Sequence, residues 1–590
     1  MRVFIRPGRS ELVLRIYLAV GVLLMMLGAC DDSTSSLPDA GGAAPDATVT
    51  VEPDILSDFG VPADPALLPG AALFDPESLI EVSVELSRED WELVRWEGRD
   101  LTRALTGCDR DFEYTYVRGR VSIGGDTYED VAVRKKGFLG SLSSTRPSLK
   151  LNFGKYVDDR THEGMRRMTL NNNEQDPSNT HQCMAYALFA KAGVMASRCN
   201  LARVTVNGED LGIYTHVESV KKPMIARYFD DDSGNLYEGQ GADFVPEHRE
   251  FIELKTNEEE NDRSDFDRLS AALTVPDEDL LSALSDVIDL EAFFRFWVME
   301  VITGHWDSYS GGRNNYLTYK DPTSGLFYFI PWGTDGSFSM LRPFTPGNTA
   351  ATVLAQGLIA SRLYNHPEGR IMYFDRLRIL FEHVWTESDL LAEAERIGEL
   401  TGAPLWSIEA QKAFIVNHGA AILRELDADP VEWVGGGATS PIMCFADLAT
   451  EASGTFSTTW LSDSSPTPGQ SAELILNGQP WMPGLLLGTA GFDQRDPGLA
   501  QVRYISPQPD GMLIAIGLSI PLELFDVGVH RMHGLETAGI VFRFNGADLS
   551  SATLIGFIGD GTITLDEASL EEGGAISGSF EGRLLQFQPL

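Results

Sequence analysis

The sequence predicts an α+β fold in which a β-rich region precedes a helical region and an all-β region follows. Residues 80–86 alternate apolar and polar side chains, as a half-buried strand does. Residues 290–302 carry apolar side chains at helical spacing. Beyond about residue 445, short strand-like runs recur between Gly, Pro, Asp and Ser turns. We therefore expect a two-lobed domain over 76–430 and a sandwich-like domain over 445–590.

The individual elements follow from the same periodicities. Strands are predicted in the β-rich region, with turns at Gly124-Gly125 and Asn207-Gly208, over 80–86, 114–123, 131–133, 148–153, 201–206 and 212–217. Helices are predicted over 180–192, 280–288, 290–302, 370–385 and 408–426. After a break at Gly435-Gly436-Gly437, strands are predicted over 472–476, 512–520, 540–544, 562–565 and 580–587.

The chain is strongly acidic. It has 590 residues, with 86 acidic and 46 basic side chains and a net charge of −40. Such a surface argues against non-specific binding to nucleic acid or anionic lipid. We expect no nucleic-acid partner.

The N-terminus has the features of an export signal. Four arginines precede an apolar run over 16–29 that is too short to cross a membrane comfortably. The run ends in Leu27-Gly28-Ala29-Cys30, which resembles the lipobox of bacterial lipoproteins. The alternatives are a plain signal peptide or a buried strand. We expect a signal over 1–30, lipid on Cys30, a disordered linker over 31–75, and an exported protein held at the cell envelope by its lipid alone.

Four further cysteines are available for disulfides in an oxidising compartment: Cys108, Cys183, Cys199 and Cys444. They allow three pairings, and we favour Cys183 with Cys199 because these two are nearest in sequence. No CxxC pair occurs, so we expect no structural zinc site.

The richest chemical signal lies between residues 306 and 338. Asp307 follows an apolar helical run, Asn314 and Asn315 lead into a strand, and Asp335 follows a second strand in a Gly-flanked turn. Protein-kinase-like enzymes present their catalytic and magnesium-binding groups in this order, which predicts phosphoryl transfer. Asp335 and Asn315 are candidate metal ligands, and Asp307 is the candidate group that orients the acceptor hydroxyl. Each could instead be an ordinary turn residue.

A phosphate-binding cation is also required. Lys150, in the run Leu149-Lys150-Leu151, is our first choice, and Lys136 before Gly137 is its rival. Glu218 could pair with the lysine or could be a solvated helix cap. The glycines over 137–141 are a weak indication of a phosphate-binding loop.

Several segments in order resemble the CotH kinase family, named for a spore coat protein. They are Val133-Arg134-Lys135-Lys136-Gly137, Pro147-Ser148-Leu149-Lys150-Leu151, Leu170-Asn171-Asn172-Asn173, Asp176, the helix from His181, Val206-Asn207-Gly208, Leu211-Gly212-Ile213-Tyr214, Glu218, Asp307, Asn314-Asn315-Tyr316 and Ile330-Pro331-Trp332-Gly333-Thr334-Asp335. The resemblance implies a protein-kinase-like fold that uses ATP with Mg²⁺ or Mn²⁺ to phosphorylate protein hydroxyls, here on an envelope substrate. The family usually has aspartate where this chain has Gly333.

Two other classes of function stay open. The domain could be a catalytically inactive envelope scaffold, which Gly333 favours, or it could catalyse adenylylation or glutamylation on the same fold. The His530/His533 pair and the acidic run 230–235 are weak metal signals. No GxSxG motif or convincing Ser-His-Asp arrangement occurs.

Overall fold

The computed structural model describes residues 68–98, 112–137, 143–339, 350–433, 449–462, 470–481, 487–493, 498–532, 538–545 and 548–586, with side chains in the last range from 555 to 585. The predicted signal, Cys30 and residues 31–67 of the predicted linker lie outside these residues, as do Cys108, Cys444, His533 and the triple glycine. The limits 76–430 and 445–590 stay predictions.

A closed seven-stranded barrel forms the first part of the structure. Its strand order is β1-β2-β3-β4-β5-β7-β6, and β1 pairs with β6 in parallel to close it. Leu149 and Leu151 lie in the barrel core, so Lys150 between them lies on the outer face of β4. The strands are β1 Ile80–Glu85, β2 Val117–Ile123, β3 Asp126–Lys135, β4 Leu149–Asn152, β5 Arg167–Asn171, β6 Cys199–Val206 and β7 Glu209–Val217.

Helices and a four-stranded sheet form the second part. The helices among the described residues up to 433 are α1 Arg88–Trp96, α2 His181–Lys191, α3 Lys222–Ile225, α4 Ser264–Ala272, α5 Asp277–Ser285, α6 Leu290–Ile302, α7 Tyr309–Gly312, α8 Leu358–Asn365, α9 Pro367–Val384, α10 Glu387–Thr401 and α11 Leu405–Leu426. The sheet, in the order β11-β10-β8-β9, consists of β8 Leu236–Gly239, β9 Glu253–Leu254, β10 Tyr316–Lys320 and β11 Phe327–Pro331.

Helix α6 is the centre of this second core. Asp289 caps it by accepting a hydrogen bond from Ala292 N at 2.9 Å, and every residue from Ala292 to Ile302 is buried. A helix that is buried on all sides must be surrounded by other elements. Residues at the end of α6 are thereby fixed, and the chain that leaves it leads directly to Asp307.

The C-terminal part is all β apart from a 3₁₀ turn at Leu522–Leu524 within the described residues. Ten strands form one sheet, and Trp460 after β12 bridges to Ala490 in β15, so the sheet curls back on itself. These strands agree with the predicted all-β C-terminal region, and its sandwich-like arrangement stays a prediction. The strands are β12 Ala449–Thr459, β13 Ser471–Leu476, β14 Gln479–Pro480, β15 Leu487–Phe492, β16 Leu499–Pro507, β17 Leu513–Pro521, β18 Gly528–Arg531, β19 Ala538–Asn545, β20 Asp548–Ala568 and β21 Ala575–Gln586.

The structure confirms mixed helix and strand content and the disulfide between Cys183 and Cys199. That bond joins the first turn of α2 to the start of β6. Among the described residues, no helix is both long enough and apolar enough to cross a membrane.

Candidate active site

Two loops meet at the open end of the β10–β11 hairpin. The last pair of the hairpin is Tyr316 with Pro331, so the residues before β10 and after β11 are neighbours. Trp332 N donates to Asn315 O at 3.1 Å, and Trp306 N donates to Gly336 O at 3.3 Å. These two backbone bonds bring the loops of Asp307 and Asp335 together, although the residues are distant in sequence.

Asp307 is held by two amide side chains. Asn314 Nδ2 donates to its Oδ1 at 3.0 Å, and Asn315 Nδ2 donates to its Oδ2 at 2.7 Å. Burial raises the pKa of Asp307 to about 7, repulsion by Asp335 acts in the same direction, and the two amide bonds oppose the rise. The site therefore contains a carboxylate with a fixed orientation whose pKa is near neutrality.

Asn315 also fills the space above Gly333. A carboxylate can only accept hydrogen bonds, so the amide nitrogen of Asn315 must face Asp307 and its oxygen must point elsewhere. A Cβ atom on Gly333 would lie 2.6 Å from Asn315 Oδ1, and the φ of Gly333 is +51°. A family-type aspartate at position 333 would thus displace the Asn315 side chain from its observed place.

Asp335 lies in a short 3₁₀ turn, Thr334–Gly336, beside two basic side chains. Burial raises the pKa of Asp335, whereas the charges of Lys136 and His181 act to lower it. His181, the first residue of α2, donates from Nδ1 to Asp335 O at 2.9 Å, and its Nε2 lies 3.5 Å from Asp176 Oδ1. From the sequence, Asp176 and His181 were identified only as part of the resemblance to the CotH kinase family, and no role in the site was predicted for them.

Lys136 is the lysine beside Asp335. Its ammonium group donates to Asn171 Oδ1 at the end of β5. Burial lowers the pKa of Lys136 to about 8, while Asp335 and Glu238 act to raise it. Lys150, our first choice, lies two residues further along the barrel wall, where it pairs across the strands with Arg134.

The predicted pairing of Glu218 with a lysine was wrong. Its carboxylate accepts a hydrogen bond from Arg198 at 2.7 Å and another from Arg227, so both oxygens are already occupied. The carboxylate near the lysines is Glu238 on β8, whose Oε2 lies 3.0 Å from Lys255 Nζ. Burial acts to raise the pKa of Glu238, but the charges of Lys255 and Lys150 outweigh it, and the pKa lies below its ordinary value.

His305 is a further residue that sequence reasoning missed. It is buried, its Nε2 lies 3.5 Å from Trp332 O, and burial lowers its pKa to about 4. His305-Trp306-Asp307 has the His-x-Asp spacing of the protein-kinase catalytic loop, which was a usable signal. A neutral imidazole at this position links the Asp307 loop to the strand end at Trp332.

The donor set suits a hard cation that arrives with phosphate. Among the described residues, no group of three or more His, Cys, Asp or Glu side chains could hold a metal by itself. Asp335 and the amide oxygen of Asn315 are hard ligands, and Mg²⁺ commonly binds one or two such groups and completes its shell with phosphate and water. In the C-terminal region His530 Nε2 lies 2.9 Å from Asp526 O, and its predicted partner His533 is outside the described residues.

The class of protein is indicated by a family model described as CotH kinase protein, which matches residues 133–417. Inner spore coat protein H of Bacillus subtilis is 28% identical over 262 residues, covering 41% of this chain and 70% of that protein. Two proteins of Rhizopus delemar are also similar: Invasin CotH7 (22% over 260 residues) and Invasin CotH2 (25% over 201 residues). The matched regions cover 42% and 33% of these two proteins, respectively. Residues 133–417 of the chain are thus similar to the CotH kinase family.

A crystal structure of the Helicobacter pylori proinflammatory kinase CtkA also resembles the chain. The likeness covers 47% of this chain and 92% of that one, at 11% identity and a TM-score of 0.26.

Proposed function

We propose that the chain is a CotH-type protein kinase that transfers the γ-phosphoryl group of ATP to a protein hydroxyl, with Mg²⁺ or Mn²⁺. The observation that supports this most directly is the junction of the Asp307 and Asp335 loops beside Lys136. Phosphoryl transfer needs positioned charges rather than covalent catalysis, and this junction supplies both signs of charge.

Each side chain has a distinct task in this proposal. Asp307 accepts the proton of the acceptor hydroxyl, and the amides of Asn314 and Asn315 hold its carboxylate in one orientation. Lys136 and Lys150 bind phosphate oxygens from the barrel wall. Asp335 and Asn315 would hold the metal, which neutralises phosphate charge when it is bound.

A second candidate function is a non-catalytic envelope scaffold. Gly333 favours it, because the chain lacks the carboxylate that the family usually has there, and Asn315 occupies the adjoining space. The similarity to a spore coat protein is consistent with a location at a cell surface. Under either function we propose an exported protein with lipid on Cys30 and with protein partners in the envelope.

Transfer from labelled ATP to an envelope extract tests the kinase function. We expect label from the γ-phosphate to reach protein and label from the α-phosphate not to do so; the reverse would indicate adenylylation. Asp307→Asn should lower kcat by roughly 10²–10⁴-fold, because a positioned base contributes that much. Nucleotide binding, measured as a metal-dependent rise in melting temperature, should persist in Asp307→Asn.

Asp130→Asn is the matched control, because Asp130 is exposed and its carboxylate pairs with Arg118 at 3.0 Å. It should leave transfer unchanged. Wild-type transfer in both Asp307→Asn and Asp335→Asn would eliminate the proposed site. No shift in melting temperature with millimolar ATP and Mg²⁺ would favour the scaffold.

A further inference from the structure

Two cations lie against Tyr116 at the barrel wall, and two more lie beside them in the strand register. Arg134 Cζ lies 5.1 Å from the centre of the Tyr116 ring, and Lys155 Nζ lies 4.8 Å from it. Lys150 is directly opposite Arg134, and Arg167 is opposite Asn152, one row further along the wall. Arg134, Lys150, Lys155 and Arg167 are hereafter the basic surface. Arg167 and Lys155 mark the end of the basic surface that lies farther from Lys136.

The basic surface has few acidic neighbours: the charge of Glu238 acts on Lys150 at its near end. Among the described residues, none of its four side chains forms an ion pair with a carboxylate. Exposed and half-buried arginines elsewhere do so, as Arg118–Asp130, Arg249–Asp267 and Arg396–Glu393 show. In a chain with a net charge of −40, four cations in one place without a direct ion pair indicate an anionic ligand.

The N-terminal segment of the same chain enters beside this surface. Pro69 Cβ lies 3.0 Å from the position that a Cβ of Gly164 would occupy, and Arg198 donates to Pro69 O at 2.8 Å. Gly164 precedes Arg167 by only three residues. The described chain therefore begins next to the Arg167 end of the basic surface.

The residues that precede this point are acidic. Residues 31–67 contain no lysine or arginine and have eight acidic side chains: Asp31, Asp32, Asp39, Asp46, Glu52, Asp54, Asp58 and Asp64. At roughly 3.3 Å per residue, these 37 residues can reach up to about 120 Å, so a short part of them spans the basic surface. Attachment at Leu68 also gives the segment a high effective concentration, on the order of millimolar.

We propose that the basic surface binds the acidic segment 31–67 of the same chain. The opposite charges supply the attraction, and the entry point at Pro69 places the segment within reach. The contact is electrostatic and salt-sensitive, since exposed charges are screened beyond about 10 Å at 0.1 M salt and about 3 Å at 1 M. Other polyanions should compete with the segment for the same cations.

Zero-length carbodiimide cross-linking of the whole purified chain tests this contact without nucleotide. We expect amide links between carboxyl groups of 31–67 and Lys150 or Lys155 at low salt. These links should disappear at 1 M salt or with excess inorganic tripolyphosphate. The half-buried pair Lys255–Glu238, at 3.0 Å, is the internal positive control and should couple under every condition.

Charge-neutral variants give the second readout. Arg134→Gln with Arg167→Gln should lower the yield of these links about fivefold or more, because each exposed charge pair contributes up to roughly a factor of five. Arg424→Gln, at an exposed arginine on α11, should not change the yield. Coupling of Lys255 to Glu238 without any link from 31–67 to Lys150 or Lys155 would overturn the proposal.

Mixing ¹⁴N- and ¹⁵N-labelled protein separates binding within one chain from binding between two copies. Cross-linked peptide pairs that carry a single isotope support the proposal. Pairs that combine ¹⁴N and ¹⁵N at the statistical ratio would show a contact between two copies and overturn it. Because the assay needs no catalysis, its failure leaves the kinase function untouched, and an inactive kinase could still show the contact.

Discussion

Replacing Glu300 by glutamine tests how the Asp307 loop is held. Glu300 is fully buried on α6, and its carboxylate accepts hydrogen bonds from the backbone of Tyr309 at 3.2 Å and of Ser310 at 2.9 Å. These two N–H groups belong to the short helix α7, between Asp307 and Asn314. Glutamine has the same shape but one acceptor oxygen, so one of the two donors loses its partner.

The expected magnitude depends on pH. Burial raises the pKa of Glu300 from 4.5 to about 7. An acid whose pKa is higher in the folded state binds its proton more tightly there, so its contribution to stability is greatest below about pH 4.5 and is lost as the pH rises to about 7. The shift of about 2.5 units corresponds to roughly 3 kcal/mol. The glutamine variant lacks this dependence and carries a constant cost of about 1–3 kcal/mol for the unpaired donor.

Hydrogen exchange of the amides of Tyr309 and Ser310 measures the free energy of local opening around Glu300. A local measurement is needed because a chain of several domains does not unfold in a single two-state transition. We compare wild type and variant at the same pH, so intrinsic exchange rates cancel. Between about pH 4.5 and 7, the wild-type advantage in opening free energy should fall by about 3 kcal/mol, or roughly two orders of magnitude in exchange rate. Glu409→Gln, at an exposed position on α11, should show no such change. A wild-type advantage that is constant with pH would refute the reasoning.

Three further predictions concern the site and its supports. Gly333→Ala should lower the melting temperature more than Gly402→Ala. Both glycines have positive φ, but a new Cβ at Gly333 would lie 2.6 Å from Asn315 Oδ1, whereas a new Cβ at Gly402 would meet open space. Equal losses of melting temperature would show that the contact with Asn315 is unimportant. Lys136→Met should weaken equilibrium nucleotide binding about tenfold or more, because Lys136 is the lysine beside Asp335. Lys150→Met should weaken it less. The opposite ranking would make Lys150 the main phosphate ligand. Joint replacement of Cys183 and Cys199 by serine should cost about 3 kcal/mol, as expected for a loop of 16 residues, and an unchanged thermal melt would contradict that expectation.

Local signals were enough to predict the elements around the site. Helix α6 was predicted at its observed limits, because its apolar side chains recur at helical spacing within one contiguous run. The hairpin at Asn207-Gly208 was predicted because that dipeptide favours a tight turn. The order Asp, Asn, strand, strand, Asp was also informative, because an antiparallel hairpin must bring the residues at its two ends together.

Partners across the fold could not be predicted in this way. Glu218 and Glu238 are both glutamates near strand ends, and nothing local distinguishes them. Glu238 faces the lysines because β8 pairs with β10 in the register that sets Glu238 opposite Leu317. Glu218 instead lies beside Arg198 and Arg227. A register between strands almost eighty residues apart depends on the packing of the whole core.

The contact between Asn315 and Gly333 bears on both proposed functions. If the side chain of residue 333 were a carboxylate, Asn315 would have to leave its place above that residue, and the amide bond that orients Asp307 would be disturbed. The glycine therefore preserves the orientation of Asp307 at the expense of one negative charge beside Asp335. A donor set with one carboxylate fewer attracts a free divalent ion less strongly, but a metal already bound to nucleotide needs fewer protein ligands. Binding that requires metal and nucleotide together is consequently the pattern that distinguishes a working kinase from a scaffold at this site.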